Sequence, residues 1–199
     1  MKGEAKMNES NIKRFENLLL SVEREGIEDL LNFIRKSDMY NAPASTKYHN
    51  CHEGGLLEHT LNVYDCLKEK RNNKYWAKAL ENTSDDSLIL VALLHDLCKT
   101  YYYTTEMRNK KDENGKWVSV PLYTVKDVYP LGHGCHSVFF AQMYIKLTIE
   151  EIAAINWHMG WSEAKDNYSY VGAAFRKYPL TLALHEADNE ASSLLEEEC

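Results

Sequence analysis

Apolar residues recur every three or four positions through most of this chain, which is the pattern of amphipathic helices. The spacing predicts helices over about residues 12–25, 27–34, 55–70, 85–99, 136–146, 148–160 and 179–195. Thr83 and Ser84 are suitable residues to cap one of these helices. Thr148 and Glu151 have the spacing of a capping box. We therefore expect a mainly helical protein.

Residues 101–125 break the helical pattern. They are rich in Tyr, Thr and Val, and Asn114 and Gly115 lie at their centre. An Asn-Gly pair between two β-prone runs indicates a β-hairpin. The prediction is an all-α bundle with one inserted β-hairpin (residues 101–125), forming a single domain over residues 1–199. Residues 1–40 supply its N-terminal helices.

Composition narrows the class of protein. The chain has 199 residues, of which 44% are hydrophobic and 27% charged, as in ordinary globular proteins. No apolar run is long enough to span a membrane, and the first residues have no apolar segment typical of a secretory signal. The net charge of −7 argues against a reader of duplex DNA. A phosphate-containing ligand would then need a metal ion or a few well-placed cations.

Cysteine usage bears on the cellular compartment. The five cysteines are odd in number and show no CxxC spacing, which argues against a disulfide framework or a structural zinc site. We expect a cytoplasmic protein with reduced thiols.

Histidines carry the chemical signal. All eight lie between His49 and His185, and several fall on predicted inward faces of different helices. A single such histidine is ordinarily a hydrogen-bonded core residue. Several of them together with buried aspartates need a common partner, because a buried carboxylate without one costs several kcal/mol. A divalent cation bound between the helices would meet that need.

Five short strings in order along the chain resemble the HD-domain metal-dependent phosphohydrolase superfamily, in its binuclear branch. The nearest resemblance is to small HD proteins related to the HD-type 3′–5′ exoribonucleases. It extends over about residues 48–191. The strings are EGGLLEHT (residues 53–60), LHDLCK (94–99), LGHG (131–134), NWHMG (156–160) and LHEAD (184–188).

The resemblance implies an HD-domain helical bundle that holds two divalent transition metal ions. Asp96 would bridge both ions. The remaining ligands would be His59, His95 and Asp188 on one ion, and His133 and His158 on the other. Nitrogen-rich ligands suit Fe, Mn, Co, Ni or Zn. Two cations about 4 Å apart can hold a bridging hydroxide and clamp a phosphate. The implied activity is cleavage of a phosphoester or phosphodiester in a nucleotide or short oligonucleotide.

Other residues are candidates for contact with the substrate. Lys99 lies three positions after Asp96, so we assign it a catalytic and phosphate-binding role, although a lysine at a helix end also interacts with the helix dipole. The further candidates for substrate binding are His49, Arg108 and Arg176. We expect His185 to orient a metal ligand.

Two histidines and the hairpin are expected to lie outside the site. His52 and His136 are predicted to lie on the surface or in loops. The hairpin carries basic and aromatic residues that could bind single-stranded nucleic acid. The preferred interpretation is a solvated turn whose apolar underside packs on the bundle.

Two further functions remain open from the residues alone: a non-hydrolytic nucleotide-binding HD module and a di-iron oxygenase. Some forty helical residues precede the site, which leaves no room for an N-terminal OB-fold. We therefore favour small-nucleotide chemistry over processive RNA degradation.

Overall fold

A computed structural model describes the backbone of residues 2–199 and the side chains of residues 8–199. In this part of the chain, helices predominate and one two-stranded sheet is present, which confirms an all-α fold with an inserted β-hairpin. The helices are α1 (Lys2–Leu20), α2 (Ile27–Lys36), α3 (Gly55–Asn72), α4 (Lys74–Ala79), α5 (Asp85–Leu94), α6 (His133–Gln142), α7 (Ile149–Trp157), α8 (Tyr168–Lys177) and α9 (Pro179–Glu190). The strands are β1 (Tyr103–Lys111) and β2 (Trp117–Val125).

Local signals begin the helices where the sequence predicts. The Ser84 hydroxyl accepts a hydrogen bond from the Ser87 amide at the start of α5. At the start of α7, Thr148 and Glu151 form both bonds of the predicted capping box. Pro179 occupies the first turn of α9.

The structure differs from the predicted elements in several places. Helices α4 and α8 were not predicted, and α6 begins at His133 rather than near residue 136. The helix expected over 85–99 stops at Leu94 and resumes as a short 3₁₀ turn at Leu97–Lys99. His95 and Asp96 therefore lie at the C-terminal end of α5, where the chain turns.

The core surrounds α5. Every residue of that helix from Leu88 to Leu94 is buried. Helices α3 and α7 pack against α5, and α9 packs against both α3 and α7. Burial of each large aliphatic side chain in this core stabilises the fold by about 1.5–3 kcal/mol. The C-terminal end of α5, which His95 and Asp96 follow, is thus anchored in the buried core.

The hairpin projects from the bundle. Its strands pair in antiparallel register from Tyr103 opposite Val125 to Lys111 opposite Trp117. Tyr103 packs against the core, but Met107 and Trp117 are about two-thirds exposed. The expectation that an apolar underside packs on the bundle is wrong for most of the hairpin, because side chains on both faces of its outer part contact solvent.

The cysteine prediction also needs correction. Cys51 and Cys199 form a disulfide, although they are 148 residues apart in sequence. The number and local spacing of the cysteines did not predict this pair, because only the fold brings the two residues together. Cysteine usage therefore no longer argues for a reducing compartment. Among the described residues, no helix combines the length and apolarity needed to cross a membrane.

Candidate metal centre

Five separate elements bring imidazoles and carboxylates to one point. His59 lies on α3, His95 and Asp96 follow α5, and Asp188 lies on α9. The remaining two are His133, the first residue of α6, and His158, which follows α7 directly. The structure thus brings together all six residues that the resemblance implies as metal ligands.

Asp96 lies at the centre of the cluster with each carboxylate oxygen facing a different pair of histidines. Oδ1 lies 2.7 Å from Nε2 of His133 and 3.7 Å from Nε2 of His158. Oδ2 lies 3.5 Å from Nε2 of His59 and 3.5 Å from Nε2 of His95. The carboxylate therefore divides the cluster into two sets of donors.

The second carboxylate belongs to one set only. Asp188 Oδ1 lies 3.3 Å from Nε2 of His59, and that nitrogen lies 3.2 Å from Nε2 of His95. Single ligand atoms of His59, His95 and Asp188 all fall within 4.8 Å of one another, as do those of His95, Asp96 and His158.

Backbone hydrogen bonds orient two of the imidazoles. Nδ1–H of His95 donates to the carbonyl of Ala92 at 2.8 Å, and Nδ1–H of His158 donates to that of Ile155 at 2.7 Å. In a neutral ring the opposite nitrogen, Nε2, then carries a lone pair directed into the cluster.

A metal ion fits these donors. Nε2 of His158 is buried and has no hydrogen-bond partner, which is costly for a polar atom. A bound cation would use that lone pair. Helices α5 and α7 also end at the cluster, and the negative ends of their dipoles favour a positive charge there. Imidazole nitrogen with carboxylate oxygen is the donor set of Fe, Mn, Co, Ni and Zn sites.

Electrostatics keep Asp96 ionised and His95 neutral, which are the states in which these two groups bind cations. Burial would raise the pKa of Asp96, but Lys99, His95 and His133 outweigh it and hold that pKa well below its usual range. Burial lowers the pKa of His95 to about 3, so its ring is neutral. Carboxylates are therefore ionised and His95 is deprotonated at neutral pH, as metal binding requires.

Close backbone approaches bring the donors within range. A methyl group on Gly134 would lie 2.1 Å from the carbonyl oxygen of Asn156, so α6 and α7 can approach this closely only with glycine there. His133 and His158 flank this contact. Nδ1–H of His185 donates to the carbonyl of His158 at 2.7 Å. His185 thus supports the turn that carries His158.

Lys99 contacts the central carboxylate. Its ammonium lies 2.6 Å from Asp96 Oδ2. Burial would lower the pKa of Lys99, but Asp96 raises it above its usual range, so the side chain is charged. The sequence predicts that Lys99 contacts the substrate, and the structure places its ammonium against the carboxylate of Asp96.

Two of the other candidate residues, Arg108 and Arg176, are not brought into the cluster. Arg108 is exposed on β1 and pairs with Glu106 of the same strand. Arg176 is exposed on the last turn of α8. His136, predicted to be on the surface, is buried against Tyr129 and Phe140 because it lies on the inner face of α6. His52 is exposed, as predicted.

Two residues that the sequence did not single out contact the ligand histidines. Glu196 Oε1 accepts a hydrogen bond from Nδ1 of His59 at 2.9 Å, and its other oxygen contacts His49. Cys98 Sγ lies 3.2 Å from Nδ1 of His133. Glu196 lies in a run of three glutamates, which usually indicates a solvated surface, so the sequence offered no signal for it.

The charge of Glu196 is stabilised by its partners. Burial would raise its pKa, but hydrogen bonds with His49 and His59 lower the pKa to about 2. For His59, burial opposes the charged ring, whereas Asp188 and Glu196 raise its pKa to about 9.

Comparison with known proteins gives one partial similarity. A stretch of 62 residues is 39% identical to part of the dihydroneopterin 2′,3′-cyclic phosphate phosphodiesterase of Methanocaldococcus jannaschii. The match covers 31% of this chain and 24% of that protein. No family model and no solved structure matches the chain. The similarity and the buried histidine–aspartate cluster fit a metal-dependent phosphohydrolase.

Proposed function

We propose that this protein hydrolyses a phosphodiester bond in a small nucleotide-like molecule with the aid of two divalent transition metal ions. The observation that carries the proposal is the position of Asp96. Its Oδ1 faces His133 and His158, whereas its Oδ2 faces His59 and His95. A carboxylate between two sets of imidazoles has the arrangement of a bridging ligand.

The donors divide into two ligand sets that share Asp96. One ion would be held by His59, His95 and Asp188, and the other by His133 and His158. Bound ions of this kind activate water at neutral pH and stabilise charge on a phosphoryl group. They would also offset the repulsion between a phosphate and a protein of net charge −7.

The cluster is open to a substrate along one edge. The His133 side chain is 27% exposed, whereas those of His59, His95, His158 and Asp96 are at most 3% exposed. The Lys99 side chain is 13% exposed, and its ammonium contacts Asp96 Oδ2. We assign the charge of Lys99 to contact with a phosphate oxygen of a bound substrate.

The partial relative suggests the kind of bond. Its name describes a phosphodiesterase for a 2′,3′-cyclic phosphate. A cyclic phosphodiester is compact and carries a single negative charge, so it fits a small acidic protein better than a long polyanion does. We therefore propose cyclic phosphodiesters, including 2′,3′-cyclic nucleotides, as the substrate class.

The test is a substrate panel under defined metals. The protein is stripped with a chelator, reloaded with Mn²⁺, Fe²⁺, Co²⁺ or Ni²⁺, and assayed with 2′,3′-cyclic nucleotides, bis(p-nitrophenyl) phosphate, p-nitrophenyl phosphate and short RNA. The expected result is ring opening of the cyclic phosphate to a monoester that requires added metal and stops on chelation.

Three results would contradict the proposal. Hydrolysis that persists after complete chelation would exclude a metal mechanism. Binding of nucleotides without turnover under any metal would indicate a binding module. Consumption of oxygen by the iron-loaded protein in place of hydrolysis would indicate an oxygenase.

A further inference from the structure

The last residues of the sequence lie against the metal centre. The backbone amide of Asn50 donates to the carbonyl of Glu197 at 3.0 Å, and His49 pairs with Glu198 as an antiparallel bridge. The disulfide between Cys51 and Cys199 closes the same contact. Segment 196–199 is therefore fixed beside the loop that precedes α3.

Glu196 is the residue through which this segment contacts the cluster. Its side chain is fully buried, although the two glutamates that follow it, Glu197 and Glu198, are exposed. One oxygen lies 2.9 Å from Nδ1 of His59 and 3.2 Å from Nδ2 of Asn62. The other oxygen contacts Nδ1 of His49. Every partner of this buried carboxylate is thus a hydrogen-bond donor.

The hydrogen bond between Nδ1 of His59 and Glu196 orients the imidazole ring of His59. If Nδ1 of His59 carries the proton and donates to Glu196, Nε2 has a free lone pair. Nε2 lies 3.3 Å from Asp188 Oδ1 and 3.2 Å from Nε2 of His95. The ring therefore connects the buried glutamate on one side to the proposed metal ligands on the other.

We propose that Glu196 is a positioning residue of the metal centre: it accepts a hydrogen bond from Nδ1–H of His59 and keeps Nε2 of that ring available as a ligand. The proposal rests on the metal site proposed above. His95 and His158 receive the same support from backbone carbonyls. Of these three ligand histidines, His59 alone is oriented by a carboxylate, which makes its ring the most basic donor.

Segment 196–199 is held in place by contacts other than the Glu196 side chain, which favours the hydrogen bond between Glu196 and His59. A glutamate side chain loses conformational entropy when it is fixed. Here the backbone pairing and the disulfide hold the segment independently of the carboxylate. Glu196 therefore presents its charge to His59 without ordering the whole segment.

The experiment compares Co²⁺ binding by the wild-type protein with that of Glu196→Gln, Glu196→Ala and the matched control Glu197→Gln. Dissociation constants come from competition with a chromophoric chelator, and the visible absorption of the bound Co²⁺ reports on its ligands. We expect Glu196→Ala to weaken binding of one Co²⁺ by about 10–100-fold and to shift its absorption bands. Glu196→Gln, which keeps a neutral acceptor, should fall between alanine and wild type, and Glu197→Gln should match wild type.

Circular dichroism of the metal-free variants separates misfolding from loss of positioning. If Glu196→Ala fails to fold, the nearly isosteric Glu196→Gln decides the question by its affinity and spectrum. Wild-type affinity and an unchanged spectrum in the folded Glu196 variants would overturn the positioning role while leaving the metal site intact. Absence of Co²⁺ binding by the wild-type protein would overturn the site itself, and the positioning role with it.

Discussion

At the scale of single residues, the site depends on one carboxylate. Asp96 is 2% exposed, and the ammonium of Lys99 and Nε2 of four histidines surround it within 3.7 Å. A lone buried carboxylate would be strongly unfavourable, so these partners are what keep it ionised. The same negative charge is what would hold two cations in the centre of an otherwise apolar bundle.

Replacement of Asp96 by Asn tests this role with little change in volume. The amide has no charge and offers one oxygen, so it cannot bridge two ions. We expect Asp96→Asn to lose bound metal and to lower phosphodiesterase activity by at least about 100-fold. This loss is larger than the one expected when a residue that only supports a metal ligand is removed. Metal analysis and turnover of a cyclic nucleotide measure the two effects.

The matched control is Asp166→Asn, which changes an exposed carboxylate without a polar partner among the described side chains. It should leave both metal content and activity as in the wild type. Retention of full metal content by Asp96→Asn would contradict the bridging assignment.

Sequence motifs predicted the residues of the histidine–aspartate cluster but not the residues that support them. His59, Asp96 and Asp188 stand in short strings whose order resembles a known superfamily, so one sequence was sufficient to select them. Glu196 and Cys98 contact the ligand histidines only because the chain folds back. No local pattern encodes such contacts, and a run of glutamates favours the opposite interpretation.

At the scale of elements, Glu151 connects α7, the helix that His158 follows, to the rest of the bundle. Its buried carboxylate accepts two hydrogen bonds from Arg24, one from Ser87 and one from the Thr148 amide. Burial would raise the pKa of Glu151, but Arg24, Thr148 and Ser87 lower it below the usual value of 4.5. The ionised form thus stabilises the folded state at pH values above 4.5.

This stabilisation should depend on pH with a definite sign. Since the folded-state pKa is depressed, the contribution is complete above about pH 4.5 and is lost as pH falls through the folded-state pKa. We expect Glu151→Gln to lower the free energy of unfolding by about 1.5–3 kcal/mol at pH 7. Its difference from wild type should shrink below pH 4.5, as measured by urea unfolding.

A neighbouring carboxylate provides the comparison. Glu25 is exposed and lies next to Arg24 in sequence, so Glu25→Gln should change the free energy of unfolding by less than about 0.5 kcal/mol. A difference between Glu151→Gln and wild type that grew on acidification would show that the sign of the pKa shift is wrong.

Helix starts with a local capping signal were easier to predict than short helices or the residues at which helices end. Ser84, Thr148 and Pro179 carry local start signals, and the structure begins helices at all three. Helix α4 has six residues and buries none of them, so it leaves no apolar stripe to detect. The sequence also did not predict the turn between Leu94 and Leu97, because apolar residues resume directly after it.

At the scale of the whole molecule, the disulfide joins distant parts of the chain around the site. Cys51 precedes α3, whereas Cys199 ends the sequence and follows the segment that carries Glu196. Such a cross-link constrains the unfolded chain and typically stabilises a protein by about 2–4 kcal/mol.

Cys199→Ser should therefore lower the free energy of unfolding by about 2–4 kcal/mol under non-reducing conditions. A reductant should destabilise the wild type to the same level and leave the variant unchanged. The control Cys135→Ser removes an exposed free thiol and should have no effect. Equal stability of oxidised wild type and Cys199→Ser would contradict the cross-link.

The central claim is that two metal ions share Asp96, and metal content per chain tests it most directly. The wild type, His133→Ala and His158→Ala are reloaded with Mn²⁺ or Co²⁺, freed of unbound metal and analysed by inductively coupled plasma mass spectrometry. The account predicts two ions per chain in the wild type and one in each variant. One ion or none in the wild type, or the same content in all three proteins, would contradict it.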